Sequence, residues 1–279
     1  MSKQLISVIM PVFKPKIEYL IKSINSILNQ TYDEIELLVI VDPVEGNVEV
    51  QDQLIWCMNN YKDDPRLRVI FNKRRIGFTN SLNLGLKKSK GAYIARMDSD
   101  DISLPTRFQE EMTFLLKRKY DIVGCWSYII NEFDKIMGIL TPPCTWRDIR
   151  KFLLLHNPFI HSSILFTRKV LKVVGFYDPS FEPSEDYEFY LRIFSCGFKG
   201  RNIPKLLHQW RLTEDSITGG KLWKLNRIAY LRSKCKAVFK YGFNRFTDII
   251  LLSISLPALF TPPSLVLPVK SFLRLCSIK

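Results

Sequence analysis

Apolar residues in the first hundred positions alternate between short unbroken runs and longer stretches where they recur every third or fourth place. An apolar run from Leu5 to Met10 predicts a buried strand that ends at Pro11. Ile17, Leu20, Ile21, Ile24, Ile27 and Leu28 then fall on one face of a helix. A second run, Ile35 to Val41, stops at Asp42. The pattern continues with a helix over Val48 to Tyr61, a strand at Leu67 to Phe71, a helix around Thr79 to Lys88 and a strand at Tyr93 to Met97. Further on it predicts a helix to about Lys117 with Ser103 as N-cap and Pro105 in its first turn, and a strand over Ile122 to Ile130. A helix over Trp146 to Leu155, a strand at Ser163 to Thr167 and a helix from Glu185-Asp186 to near Gly197 follow. Two short strands, Arg201 to Ile203 and Leu206 to Trp210, close the series. This alternation describes α/β architecture: a Rossmann-like, mostly parallel sheet flanked by helices.

Charge divides the 279 residues unevenly. The chain carries a net +14, and from Lys221 to Lys279 eleven Lys or Arg face a single acid, Asp248, which leaves the first 220 residues close to neutral. Within that basic tail, Ile249 to Val269 has no charged residue and approaches the roughly 20 residues a membrane span needs. Prolines 257, 262, 263 and 268 oppose one straight helix. The preferred expectation is a segment that lies along or dips into an anionic membrane face; a true span and a helical hairpin packed on the body are the alternatives. The expected division is a folded body at 1–217 and a basic, apolar helical tail at 218–279. Met1-Ser2-Lys3-Gln4 leads straight into the first strand, so the body is expected in the cytoplasm, peripheral on the inner face of the membrane. Cysteines 57, 125, 144, 196, 235 and 276 form no CxxC pair and no zinc spacing, which predicts reduced thiols.

In open α/β sheets ligands bind beyond the carboxyl ends of the strands. Pro11, Asp42, Asn72 and Asp98 all stand there, while no GxGxxG or GxxxxGK[ST] is present. The densest chemistry is Ala92-Tyr93-Ile94-Ala95-Arg96-Met97-Asp98-Ser99-Asp100-Asp101, an apolar strand running into three carboxylates. Such crowding raises each acid's pKa, and a divalent ion held with substrate phosphates would relieve it. An Asx turn capping the next helix is the plainer reading.

The order of motifs resembles the inverting family-2 glycosyltransferases, especially bacterial enzymes that build surface polysaccharides. The resemblance runs through Val8-Ile9-Met10-Pro11-Val12-Phe13, Ser26-Ile27-Leu28-Asn29-Gln30-Thr31-Tyr32, Glu36 to Asp42, Asn72, Ser81-Leu82-Asn83-Leu84-Gly85 and Tyr93 to Ser103. It continues through Asn157, His161-Ser162-Ser163, Gly175-Phe176-Tyr177-Asp178 and Ser184-Glu185-Asp186-Tyr187, covering roughly residues 5 to 217. It implies a GT-A fold in which Asp98 and Asp100 form a DxD motif holding Mn²⁺ or Mg²⁺ on the diphosphate of a nucleotide sugar, with a UDP-hexose as the prior. Asp101 would cap the following helix, the preferred expectation, or stand as an outer carboxylate behind the metal. Asp186 is implied as the base that deprotonates the acceptor hydroxyl, although acids also gather at helix N-termini for the dipole alone. Glu185 would orient the acceptor, and His161 would either touch it or serve as a hydrogen-bonded structural residue. Pro11, Phe13, Asp42 and Asn72 are implied on the nucleotide side together with Arg96, while Arg75 is a cationic candidate and Arg211 a diphosphate contact. His208 is a weak candidate for a metal ligand.

The chain departs from the family pattern after Asp42, where Pro43-Val44-Glu45-Gly46 replaces a second acid and Gly-Ser; Glu45 is the candidate substitute. The implied partners are a nucleotide-sugar donor, a glycan or lipid-linked acceptor and the membrane's inner face. Two competing readings remain: a nucleotidyltransferase acting on a sugar phosphate, and a non-enzymatic protein whose basic tail binds membrane or nucleic acid. The first lacks its glycine-rich basic loop in Pro11-Val12-Phe13-Lys14-Pro15. For the tail, the uncharged block favours membrane and argues against nucleic acid.

Overall fold

A computed structural model describes residues 3–44, 48–118, 120–155, 157–213 and 223–243. In chain order the first half comprises β1 (Ile6–Val12), α1 (Ile17–Leu28), β2 (Ile35–Val41), α2 (Val48–Asn59), β3 (Leu67–Phe71), α3 (Phe78–Lys88), β4 (Tyr93–Arg96) and β5 (Ile102–Ser103). The second comprises α4 (Arg107–Arg118), β6 (Ile122–Ile130), β7 (Ile136–Leu140), α5 (Trp146–Phe152), β8 (Leu165–Thr167), α6 (Arg168–Val174), α7 (Glu185–Ser195), β9 (Gly200–Arg211) and α8 (Trp223–Lys240). One sheet runs in the order β3-β2-β1-β4-β8-β6-β9-β5, with β7 hung on β6. β3, β2, β1 and β4 are mutually parallel, as are β6 and β9, whereas β8, β5 and β7 pair antiparallel.

Both faces of the sheet are covered, which explains the uninterrupted apolar runs. In β2, Leu37, Val39 and Val41 join β1's Val8, Met10 and Val12 in a core completed by Leu20, Ile24 and Ile27 of α1 and by Phe108 and Met112 of α4. The alternate residues Leu38, Ile40 and Ile9 meet Leu82 and Leu86 of α3 in a second core that extends to Phe189 and Ile193 of α7. Each such fully buried aliphatic side chain contributes roughly 1.5–3 kcal/mol.

Several boundaries differ from the sequence expectation. β1 runs through Pro11 to Val12. Ile9 O accepts from Met97 N, so two residues on, the N–H that Pro11 lacks would face β4's side, where that pairing has ended. α4 starts at Arg107, because Ser103 belongs to β5, which pairs with β9 through Ser103 and His208. The two strands expected near 201–210 are one strand, β9, whose register slips where Ile203 faces Cys125 and Leu206 faces Trp126, looping out the exposed Pro204 and Lys205. β7 and α6 were not expected. The β6–β7 turn forms because Asn131 Oδ1 accepts from the amides of Phe133 and Lys135, both at 3.0 Å.

The tail divides within the described residues. α8 docks on α7: Lys236 pairs with Glu188 at 3.0 Å and with Asp178 at 3.2 Å, and Tyr241 also bonds to Glu188. Packing of the body therefore continues past residue 217. No helix among the described residues is long and apolar enough to cross a membrane, and the Ile249 to Val269 run lies outside them.

Candidate active site

The exits of β1, β2, β3 and β4 converge on one edge. Asp42, 2% exposed, is consumed there by the loop after β3: its carboxylate accepts from Asn72 Nδ2 at 2.7 Å, Ile76 N at 3.2 Å and Gly77 N at 2.8 Å. Gly77 has φ 87°, a left-handed conformation that lets the chain bring both amides to one carboxylate. Asp42 and Asn72 thus shape this wall through the loop they hold, and Pro11 is buried in β1. Phe13 is 37% exposed, with the Arg75 guanidinium 4.2 Å from its ring centroid. Arg75 also lines a cavity of about 550 Å³ with Arg74, Ile76, Asn80, Asn83, Leu84 and Lys87; the acids of the β4 exit do not border it. Glu45 lies outside the described residues.

At the β4 exit the acidic turn is held by its backbone. Ser23 Oγ of α1 donates to Asp98 O at 2.7 Å, and Arg211 Nε of β9 donates to Asp100 O at 2.8 Å. Arg107, fully buried in α4, donates to Arg96 O and to Ser103 Oγ. With the main chain fixed, Asp98 pairs with Arg96, whose guanidinium is buried over the Phe78 ring at 5.3 Å. Burial and the adjacent Asp98 charge push the Asp100 carboxyl up to about 6. Asp98 and Asp100 are thus two crowded oxygen donors, and no cluster of three metal-ligating side chains occurs among the described residues. A pair of hard carboxylates suits Mg²⁺ or Mn²⁺, which complete their coordination with water and substrate phosphate.

Two expectations for this turn are corrected, and a disfavoured candidate falls away. Asp101 does not cap α4: it is 1% exposed, its Oδ1 accepts from Arg211 N at 2.8 Å and its Oδ2 lies 3.4 Å from His208 Nε2. Burial, then the charges of Asp98 and Asp100, hold its carboxyl well above the usual range. His208 is no metal ligand, because it is fully buried behind Asp101 with Nδ1 at 3.0 Å from Ser127 Oγ. Arg211 is no free diphosphate contact; it is fully buried and committed to Asp100 O, Asn131 O, Asp134 and the Tyr19 ring. Its work is to brace the acidic turn.

The second acidic group opens α7. Asp186 accepts from Asn157 Nδ2 and from Tyr187 N, both at 2.6 Å, while burial raises its pKa. Glu185, 4% exposed, is pushed up to about 8 by burial and then by Asp186. His161 Nε2 lies 3.0 Å from Tyr177 Oη, and burial followed by the Arg96 charge holds it well below its ordinary value, so it is neutral at neutral pH. Arg96 is the common cation: Asp98, Asp101, Glu185, Asp186 and His161 all feel it. That bridging position was not legible in the sequence, and neither was Asn157's hold on Asp186.

The Glu185 shift has a testable consequence. Between about 4.5 and about 8 the folded chain keeps a proton that the unfolded chain has released, so stability is intact below that window and falls as pH rises through it. Thermal melts of Glu185→Gln should therefore exceed wild type by a few degrees above pH 8 and nearly coincide with it at pH 5.

Against solved structures, the chain superposes on *S. aureus* TarS in complex with UDP-GlcNAc with a TM-score of 0.67, at 16% identity over 90% of this chain and 71% of that one. It also superposes on the mannosyltransferase PcManGT from Pyrobaculum calidifontis in complex with GDP-Man and Mn²⁺, with a TM-score of 0.60, 14% identity and coverage of 92% and 75%. The fold is that of the GT-A glycosyltransferases. Residues 7–174 match the model of glycosyl transferase family 2, and the Escherichia coli O-antigen biosynthesis glycosyltransferase WbnJ is 34% identical over 76% of this chain and 81% of its own length. The chain belongs to glycosyl transferase family 2.

Proposed function

We propose that this protein is an inverting, metal-assisted glycosyltransferase that moves a sugar from a nucleotide-sugar donor, a UDP-hexose as first candidate, to a glycan or lipid-linked acceptor in surface polysaccharide synthesis. The observation that carries the reading is the pairing of two acidic groups, Asp98–Asp100 at the β4 exit and Glu185–Asp186 at the head of α7, around one buried arginine. The O-antigen role in the WbnJ name favours the acceptor class.

Asp98 and Asp100 would hold a Mg²⁺ or Mn²⁺ ion, which when bound neutralises the charge that develops on the departing diphosphate. Phe13 offers a ring to the base, in the wall shaped by Pro11, Asp42 and Asn72. Arg96 pairs with Asp98 beside it. On the acceptor side, Asp186 takes the proton from the attacking hydroxyl, and that attack from the face opposite the leaving group inverts the anomeric centre. Glu185, protonated near neutral pH, and the neutral His161 are placed to hydrogen-bond acceptor hydroxyls without adding charge beside the base. The basic tail would keep the enzyme at the inner face of the cytoplasmic membrane, near a lipid-linked acceptor.

Transfer and hydrolysis assays across a panel of UDP- and GDP-sugars, with and without chelator, test this reading. EDTA should reduce turnover at least 100-fold and added Mn²⁺ or Mg²⁺ should restore it, with inverted product by NMR. Chelator-resistant turnover or retained configuration contradicts it.

A further inference from the structure

Asp186 is held by a residue that is itself held by α8, beyond the stretch that matches the family model. Asn157 Nδ2 occupies Asp186 Oδ2 at 2.6 Å, and Tyr187 N occupies Oδ1, so the carboxylate cannot rotate freely. Leu155 and Asn157 are tied in turn to α8: Lys234 Nζ donates to Leu155 O at 3.3 Å, and the Tyr230 hydroxyl is hydrogen-bonded with Asn157. Tyr230 also stacks on Tyr187 with centroids 4.6 Å apart and planes at 16°, and Tyr187 Oη reaches back to Leu153 O. Tyr230 and Lys234 are one helical turn apart, so a single face of α8 makes both contacts. Lys236 and Tyr241 clamp that helix to the buried Glu188 of α7. Removing α8 would release Asn157 and one wall of Tyr187 together.

We propose that Asn157 and α8, through Tyr230 and Lys234, form a positioning device for Asp186 that fixes the direction of its carboxylate and keeps it ionisable within a buried site. This rests on the reading of Asp186 as the proton acceptor. The ionisable groups facing Asp186 are Arg96 from β4, Tyr177 from the segment after α6, Glu185, Tyr187 and Tyr190 on α7, and Tyr230 on α8. Arg96 lowers the Asp186 pKa, as does the Asn157 amide; burial opposes both. A hydrogen bond donated to the charged form favours it, so losing the Asn157 amide should make Asp186 harder to ionise.

The test uses the full chain labelled with ¹³C at aspartate carboxyls, with the Asp186 signal assigned by its loss in Asp186→Asn. Asn157→Ala should move the Asp186 titration to higher pH by about one unit, a tenfold change in the ionisation constant. Tyr230→Phe keeps the stack and deletes one hydroxyl; it should shift the titration the same way by less, with an unchanged melting temperature. In turnover assays with UDP-N-acetylglucosamine and GDP-mannose, the acid limb of kcat should follow the same shift while the donor KM stays put. Wild-type titration in Tyr230→Phe, or in a folded Asn157→Ala, overturns the positioning role, whatever the loss of rate. If the titration shifts but Asp186→Asn still turns over normally, the base assignment fails and the positioning geometry stands alone.

Discussion

Asp186→Asn should lower kcat by about 10³-fold and leave donor binding unchanged. General-base assistance is worth roughly 10²- to 10⁴-fold, and an amide of equal size retains the packing while losing the lone pair that receives the proton. The substituted side chain would still lie against Asn157 and Tyr187 N, so the fold of α7 should survive. The proposed donor site at the β4 exit is built from other elements, which is why nucleotide affinity by calorimetry should match wild type. A variant with near-normal turnover removes Asp186 from the mechanism. A variant that loses nucleotide affinity as well would mean that Asp186 belongs to the donor side.

Asp100→Asn should also abolish measurable transfer, by a different route. Stabilising the charge of the leaving diphosphate is worth several kcal/mol, so about 10³-fold in rate is expected if most of it is lost, at 1.36 kcal/mol per factor of ten. Unlike Asp186→Asn, this change should weaken nucleotide binding in the presence of metal and leave metal-free binding alone. Its effect on stability should have the opposite sign. Asp100 is a partly buried carboxyl raised to about 6 by burial and by Asp98, so above that pH its ionised form opposes folding and a neutral amide relieves the strain. Activity falling while the melting temperature at pH 7.5 rises would mark a group kept for chemistry at the expense of the fold.

The sheet was readable where burial on both faces left unbroken apolar runs. β2 ends at Val41, just before Asp42, and β6 spans Ile122–Ile130, as expected from such runs. β7 and α6 escaped because Ile136–Leu140 and Arg168–Val174 are short, and β7 is fixed by the Asn131 turn more than by its own pattern. β9 looked like two strands because Pro204 breaks the apolar period, although the ladder resumes beyond the bulge.

For the site, charge crowding singled out Asp98 and Asp100 because folding alone does not favour it, whereas Asp186 was reached through the resemblance, since acids also gather at helix N-termini for the dipole alone. Asp101 and Arg211 were misassigned for a common reason: in sequence they resemble solvent-facing or ligand-facing groups, and their burial beside His208 depends on β9 lying against the acidic turn. Asn157 and Tyr230 carry no local signature for their role, since each acts on a partner brought near only by the packing of α7 and α8.

As proposed, Asp98 and Asp100 hold a divalent ion only together with a nucleotide diphosphate. Titration of Mn²⁺ followed by electron paramagnetic resonance, with UDP or GDP present and absent, tests it most directly. Mn²⁺ should bind weakly alone and at least tenfold tighter with one of the nucleotides, and Asp100→Asn should lose that gain. Tight Mn²⁺ binding that needs no nucleotide, or a nucleotide-dependent gain that survives in Asp100→Asn, contradicts it.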